Sequence, residues 1–162
     1  MKTGDGMTLI VKNVTRLVSG FIAVFGIYVA MTGHLGPGGG FAGGVILAAS
    51  GVLIVLAFGG RTARKFITES TCHVADAAGA FGFLVVALCG FFAGSFFARF
   101  IPTGQLFHLA SGGTLPLSNL AIMVKVAAGL VGVFIALTGF GRVLLEKKSP
   151  DRPRQGPMPF EE

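Results

Sequence analysis

The sequence predicts an all-α membrane protein built as a four-transmembrane-helix bundle, and three observations predict it. Only 12% of the 162 residues are charged, against about 25% in an ordinary soluble domain. Mean hydropathy is +0.79. Several apolar runs reach the ~17–25 residues that a helix needs to cross a bilayer. Between Leu17 and Gly60 there is no Lys, Arg, Asp or Glu at all. The spans fall at about 11–31, 39–58, 74–97 and 117–140, within a membrane domain over 1–145, followed by a polar, Pro-rich tail over 146–162. No room is left for a soluble domain.

Met1 to Thr8 is short, polar and Gly-rich, a terminus expected to fray. Lys12 and Arg16 lead into the first span. A basic start before an apolar run has the form of a signal peptide. No convincing small-x-small cleavage site follows, however, and a second span comes almost at once, so the segment reads as an uncleaved anchor. Ser19, Ala23, Gly26, Ala30 and Gly33 recur at spacings of 4 and 3. That puts small residues on one face, where another helix can approach closely.

Gly33-His34-Leu35-Gly36-Pro37-Gly38-Gly39-Gly40-Phe41 follows. Pro37 lacks an N–H and disfavours helix at the residue before it. The chain therefore turns here and enters the second span, where Gly40, Gly44 and Ala48 repeat the small-residue spacing. Arg61, Arg64, Lys65, Glu69, His73 and Asp76 form a charged connection, with an amphipathic interfacial piece over Arg64 to Thr71. Asp76 is placed in the first turn of the third helix, where an anion suits the helix dipole. The third span holds Gly79, Gly82, Gly90 and Gly94. Its phenylalanines at 91, 92, 96 and 97 are expected to face lipid or a neighbouring subunit. Arg99 to Ser118, with Pro102, Gly104, His108, Gly112, Gly113 and Pro116, reads as a long irregular loop before the fourth span.

Charge fixes the expected orientation. Eleven of the 13 Lys and Arg fall before or at the start of the first span, between the second and third, or after the fourth. Only Arg99 lies on the opposite side, and Lys125 lies inside the fourth span. The positive-inside rule then makes the protein multi-pass in the cell (inner or plasma) membrane, with both termini cytoplasmic and His34 on the outer side. The net charge of +6 does not point to nucleic acid, because the basic residues sit at helix ends and in the tail.

Few residues here can carry chemistry. Gly38-x-Gly40-x-x-Gly43 matches the letters of a dinucleotide fingerprint, but no strand precedes it and no acidic residue follows about 20 positions on. The glycines read instead as a tight turn with close helix packing. Cys72 and Cys89 have no metal or redox spacing. No cofactor or metal site is expected, and no nucleophile–base or carboxylate pair points to an enzyme.

Lys125 is the sharpest signal. An ionisable group inside a span costs about 2.5–3.5 kcal/mol on insertion scales unless it is paired or hydrated. Two readings stay open: a lysine facing a functional or inter-subunit surface, or one that snorkels to the interface. His34 and His108 are the other candidates for an ion or proton path. Imidazole is the side chain suited to proton exchange near neutral pH, yet a ring that simply bonds loop carbonyls fits equally well.

Thr32 to Gly44, following Tyr28-Val29-Ala30, resembles the signature of the MnhB-type subunit of multisubunit Mrp/Mnh sodium/proton antiporters. Gly33, His34, Pro37, Gly38, Gly39, Gly40, Phe41, Gly43 and Gly44 carry the resemblance, which extends over roughly Val11 to Phe140. It implies an MnhB-like domain working beside other membrane subunits in a complex that exchanges Na+ for H+, with no redox centre of its own. Related subunits also occur in redox-driven complexes such as membrane-bound hydrogenases, which supplies an alternative function as part of an ion-translocation module. A purely structural membrane spacer is a third reading. One departure stands out: MnhB-type antiporter subunits tend to carry an acidic residue near the start of the last helix, where this chain has Lys125.

Overall fold

The structure, a computed structural model, describes residues 7–59, 68–98, 101 and 109–148. His108, the Arg61, Arg64 and Lys65 part of the charged connection, part of the loop before the fourth span and the tail from 149 lie outside these residues. Four long helices make up the described chain: α1 (Leu9–Met31), α2 (Gly40–Phe58), α3 (Glu69–Cys89) and α4 (Leu115–Lys148). All four contain a stretch long and apolar enough to cross a membrane. No strand occurs among the described residues.

α2 packs against α1 on one side and against α4 on the other, and α3 packs against α4. α1 and α2 run antiparallel. At their terminal end the Met7 amide donates to the Ala57 carbonyl at 3.1 Å, and the Arg16 guanidinium sits 5.6 Å from the centre of the Phe58 ring. Farther along the seam, the buried Ser50 hydroxyl donates to the Ser19 carbonyl at 2.9 Å. Such a bond satisfies a hydroxyl where no water is available.

The small-residue face read from α1 is the one that packs: Ser19, Gly26 and Ala30 are buried. The opposite face, with Phe21, Val24, Phe25 and Tyr28, is exposed. Large apolar residues pointing outward are the arrangement expected of helices solvated by lipid or by other helices. The buried positions combine small residues with a few larger ones, among them Ala30, Ala48, Ala57 and Ala87 with Met123 and Ile135. Ala48, Cys72, Val131 and Ile135 form the buried cluster that joins α2, α3 and α4.

Both boundaries of α3 depart from the sequence reading, and α4 runs on to Lys148, eight residues past the expected 140 and into the expected tail. α3 begins at Glu69, five residues before the expected 74, so Asp76 lies two turns inside the helix and not in its first turn. At its other end α3 stops at Cys89 and tightens into a 3-10 turn over Gly90–Ala93. Gly94 (φ 103°) and Phe97 (φ 64°) then reverse the chain. The Phe97 amide donates to the Ala87 carbonyl at 3.2 Å, folding 94–98 back over the helix end. Gly90 permits this, since a Cβ there would lie 2.5 Å from the Ala98 nitrogen. Phe91, Phe92, Phe96 and Phe97 remain exposed, in line with a lipid- or partner-facing role.

Candidate functional site

Two places in this bundle hold the residues singled out by the sequence. The first is the turn between α1 and α2. Thr32 ends α1 with its hydroxyl donating to the Tyr28 carbonyl at 2.8 Å, and the Leu35 amide donates to the Thr32 carbonyl at 2.8 Å. Gly39 then starts α2 from φ 124°, a backbone region that residues with a Cβ rarely adopt.

The glycines that follow serve two neighbours at once. A Cβ on Gly43 would lie 2.5 Å from the Gly26 carbonyl and 2.8 Å from the Ala30 Cβ, on α1. On the other face, a Cβ on Gly40 would run into the Asn119 carbonyl of α4, and one on Gly44 would lie 2.8 Å from the Val126 Cβ. The run of glycines is therefore a two-sided contact surface. Phe41, between them, is exposed.

Asn119 carries no signal in the sequence. It sits one turn into α4 and faces the turn directly: its Nδ2 lies 3.1 Å from where a Gly33 Cβ would be, and its Oδ1 lies 3.9 Å from where one on Gly39 would be. A lone Asn at the start of an apolar helix reads as an N-terminal polar residue, and only the fold shows that the turn packs on it.

His34 is half-buried and packs on the segment leading into α4. A Cβ on Gly112 would lie 2.9 Å from the His34 Cγ and Cδ2 atoms and 3.1 Å from the Pro116 Cδ. Gly112→Ala is therefore expected to displace the imidazole and loosen the α1–α2 turn from α4. Faster cleavage of the 32–39 turn by an added protease would register the change; unchanged cleavage would show that the ring has room to move.

The second place is on α3 and α4. Lys125 Nζ lies 2.9 Å from Asp76 Oδ1, an ion pair with good hydrogen-bond geometry. Gly79 brings the two helices together here: a Cβ on it would lie 2.7 Å from the Lys125 nitrogen. One turn along, Gly129 leaves the Asp76 carboxylate open, with Oδ1 3.7 Å from where its Cβ would be. Lys125 is ten residues past Leu115, about 15 Å at 1.5 Å per residue, so its backbone lies deep in the span.

The charge of Lys125 is thus matched within the chain by a carboxylate, which removes much of the cost of placing either alone in an apolar span. The sequence reading makes Asp76 a helix-dipole partner only because it starts α3 too late. The signal that points to the pair is two opposite charges, each flanked by apolar residues, on two spans. His34 is not brought to this pair: it packs at Gly112 and Pro116, and Lys125 is nine residues beyond Pro116, about 14 Å along the helix. Among the described residues no group of three His, Cys, Asp or Glu is placed to hold a metal.

Four membrane-length helices, close glycine contacts and one ion pair inside the spans define a multi-pass helical membrane protein of the kind that packs among other subunits. Residues 10–132 match the family described as a domain related to the MnhB subunit of Na+/H+ antiporters. The chain belongs to this family. It is 33% identical over 146 residues to the B-type subunit of the Na+/H+ antiporter of Bacillus subtilis, covering 90% of this chain and 93% of that one. An uncharacterized protein of Methanocaldococcus jannaschii is 30% identical over 151 residues, and there the match covers 88% of this chain but 56% of the relative. Among solved structures, a chain of the membrane-bound sulfane sulfur reductase, an archaeal respiratory membrane complex, superposes with a TM-score of 0.65 at 28% identity. That match covers 85% of this chain and 62% of the other.

Proposed function

We propose that this chain is a membrane subunit of a multisubunit cation/proton antiporter complex, with Na+ and H+ as the ions exchanged by the assembly. Family membership and near full-length similarity to a B-type antiporter subunit support this reading. Within the complex the chain contributes helix packing through its glycine faces and one polar element, the Lys125–Asp76 pair. That pair is the observation that carries a role on the ion path, because a charge pair inside a span has no use in a spacer that merely fills the bilayer. The chain acts as a transporter component and not as an enzyme. Both termini are cytoplasmic by the positive-inside rule.

Membrane vesicles containing all subunits are expected to exchange sodium for protons, and vesicles lacking this chain are not; exchange retained without it would remove the chain from the function. His34, at the turn, is assigned a part in proton handling. His34→Ala is expected to shift the pH profile of exchange while the subunits still co-purify. Loss of the assembled complex would instead assign the imidazole to packing against Gly112.

The likeness to a chain of a respiratory membrane complex supports a second reading, in which the same chain serves an ion-translocating module driven by redox chemistry elsewhere. Purification with the native neighbours separates the two. Antiporter subunits alone support the first reading, and redox subunits alongside them support the second.

A further inference from the structure

We infer that the α3–α4 face carrying Asp76 and Lys125 is a subunit interface, covered by an apolar transmembrane helix that presents an uncharged hydrogen-bonding side chain to the ion pair. The inference rests on the antiporter-complex reading above and adds to it the face and the chemistry of the partner.

The pair is directed outward from this chain. Its side chains are 48% (Lys125) and 40% (Asp76) exposed, although both residues lie within membrane-length apolar segments. Lipid tails offer no hydrogen bonds, so a half-exposed ammonium and carboxylate at this depth need cover from polar groups. The contact within the pair uses one carboxylate oxygen and one ammonium hydrogen, and both groups have further capacity to bond.

Beside the pair runs a groove of about 310 Å³, lined by Cys72, His73, Asp76, Gly129, Gly132, Val133 and Ala136 among others, so that the His73 imidazole is a further polar group along it. Its floor is low because Gly129 and Gly132 carry no side chains, and a Cβ on Gly132 would already lie 3.4 Å from that of Cys72. A helix backbone can therefore come close enough for a short side chain to reach Asp76. The charge balance selects the partner. The pair is neutral as a unit, so a third full charge would be left unmatched in the membrane. A Ser, Thr, Asn or Gln side chain completes the bonding without that cost.

The test is made on the complete complex, in a background with both cysteines replaced. A photo-crosslinking amino acid is placed at Val133 or at Ala136, and in parallel each position is changed to Cys and exposed to a small maleimide. The expected result is a crosslink from both positions to one span of another membrane protein of the complex. That span carries an uncharged polar residue within one turn of the crosslink, and the cysteines stay unlabelled. Rapid maleimide labelling without a crosslink would overturn the proposal in favour of a water-lined face. Absence of both would overturn it in favour of lipid, and a crosslink to a second copy of this chain would overturn it in favour of a homodimer contact. If no other membrane protein co-purifies, the antiporter-complex reading itself fails, which is distinct from failure of this face within an intact complex.

Discussion

Lys125→Met is expected to remove most sodium/proton exchange and to lower the amount of assembled complex. The variant leaves Asp76 as a lone carboxylate inside an apolar span, where an uncompensated charge costs about 2.5–3.5 kcal/mol on insertion scales. Asp76→Asn leaves the opposite charge, and the two single changes differ in one respect. The lysine stem is long and can carry part of its charge toward an interface, whereas an aspartate cannot. Assembly is therefore expected to suffer more in Lys125→Met than in Asp76→Asn. The double variant carries no charge at either position of the pair, so it is expected to recover assembly but not exchange. The coupling between the sites should fall in the ~0.5–3 kcal/mol range of residues in direct contact. Vesicle transport and complex yield, measured on all four combinations, check this. Wild-type exchange in either single variant would remove the pair from the mechanism.

The four helices are legible in the sequence because their apolar runs are long and their punctuation is strong. Pro37 and the glycines after it mark one turn, whereas the end of α3 at Cys89 is not marked, because the apolar run continues through Gly90 and Gly94 to Phe97. The packing face of α1 is legible too, since Ser19, Gly26 and Ala30 recur at helical spacing. The Asp76–Lys125 pair is hidden for two reasons. Glu69 to His73 is polar enough to read as loop, which moves the expected helix start past the turn that buries Cys72. The partners are also 49 residues apart in sequence, and helix periodicity carries no information on which helix neighbours which. Asn119 is illegible for the same reason: its importance is set by Gly33 and Gly40, which reach it only through the fold.

The two sites differ in what they ask of their residues. At the turn, the requirement is the absence of side chains, and the motif residues Gly40, Gly43 and Gly44 are buried. At the pair, the requirement is charge, held on helices that Gly79 lets come together. Close packing at the first site fixes α4 against α2, and α4 in turn carries Lys125 to α3. A disturbance at the glycine run should therefore reach the ion pair through α4, whereas removal of the pair leaves the glycine contacts in place.

Gly40→Ala and Gly43→Ala are expected to be among the most damaging single-methyl changes at the described glycines, and Gly36→Ala, four residues before Gly40, one of the mildest. A methyl on Gly40 meets the backbone of Asn119, and one on Gly43 meets the Gly26 carbonyl at 2.5 Å. Backbone cannot swing aside as a side-chain tip can, so the helices must part. Overpacking of this kind costs about 1–3 kcal/mol, and parting the helices also gives up the close contacts that substitute for a hydrophobic drive inside the membrane. A methyl on Gly36 meets nothing within 4 Å, and such sites usually stay within about 0.5 kcal/mol of wild type. The fraction of detergent-purified protein that survives heating, measured for the three variants side by side, checks the order. Should Gly36→Ala prove as damaging as Gly40→Ala, the glycines would be serving the backbone shape of the turn or a bound ion, and not the approach of α2 to its two neighbours. Survival of Gly40→Ala at wild-type level would mean that Asn119 and the start of α4 can give way, and the turn would then be a hinge and not a clamp.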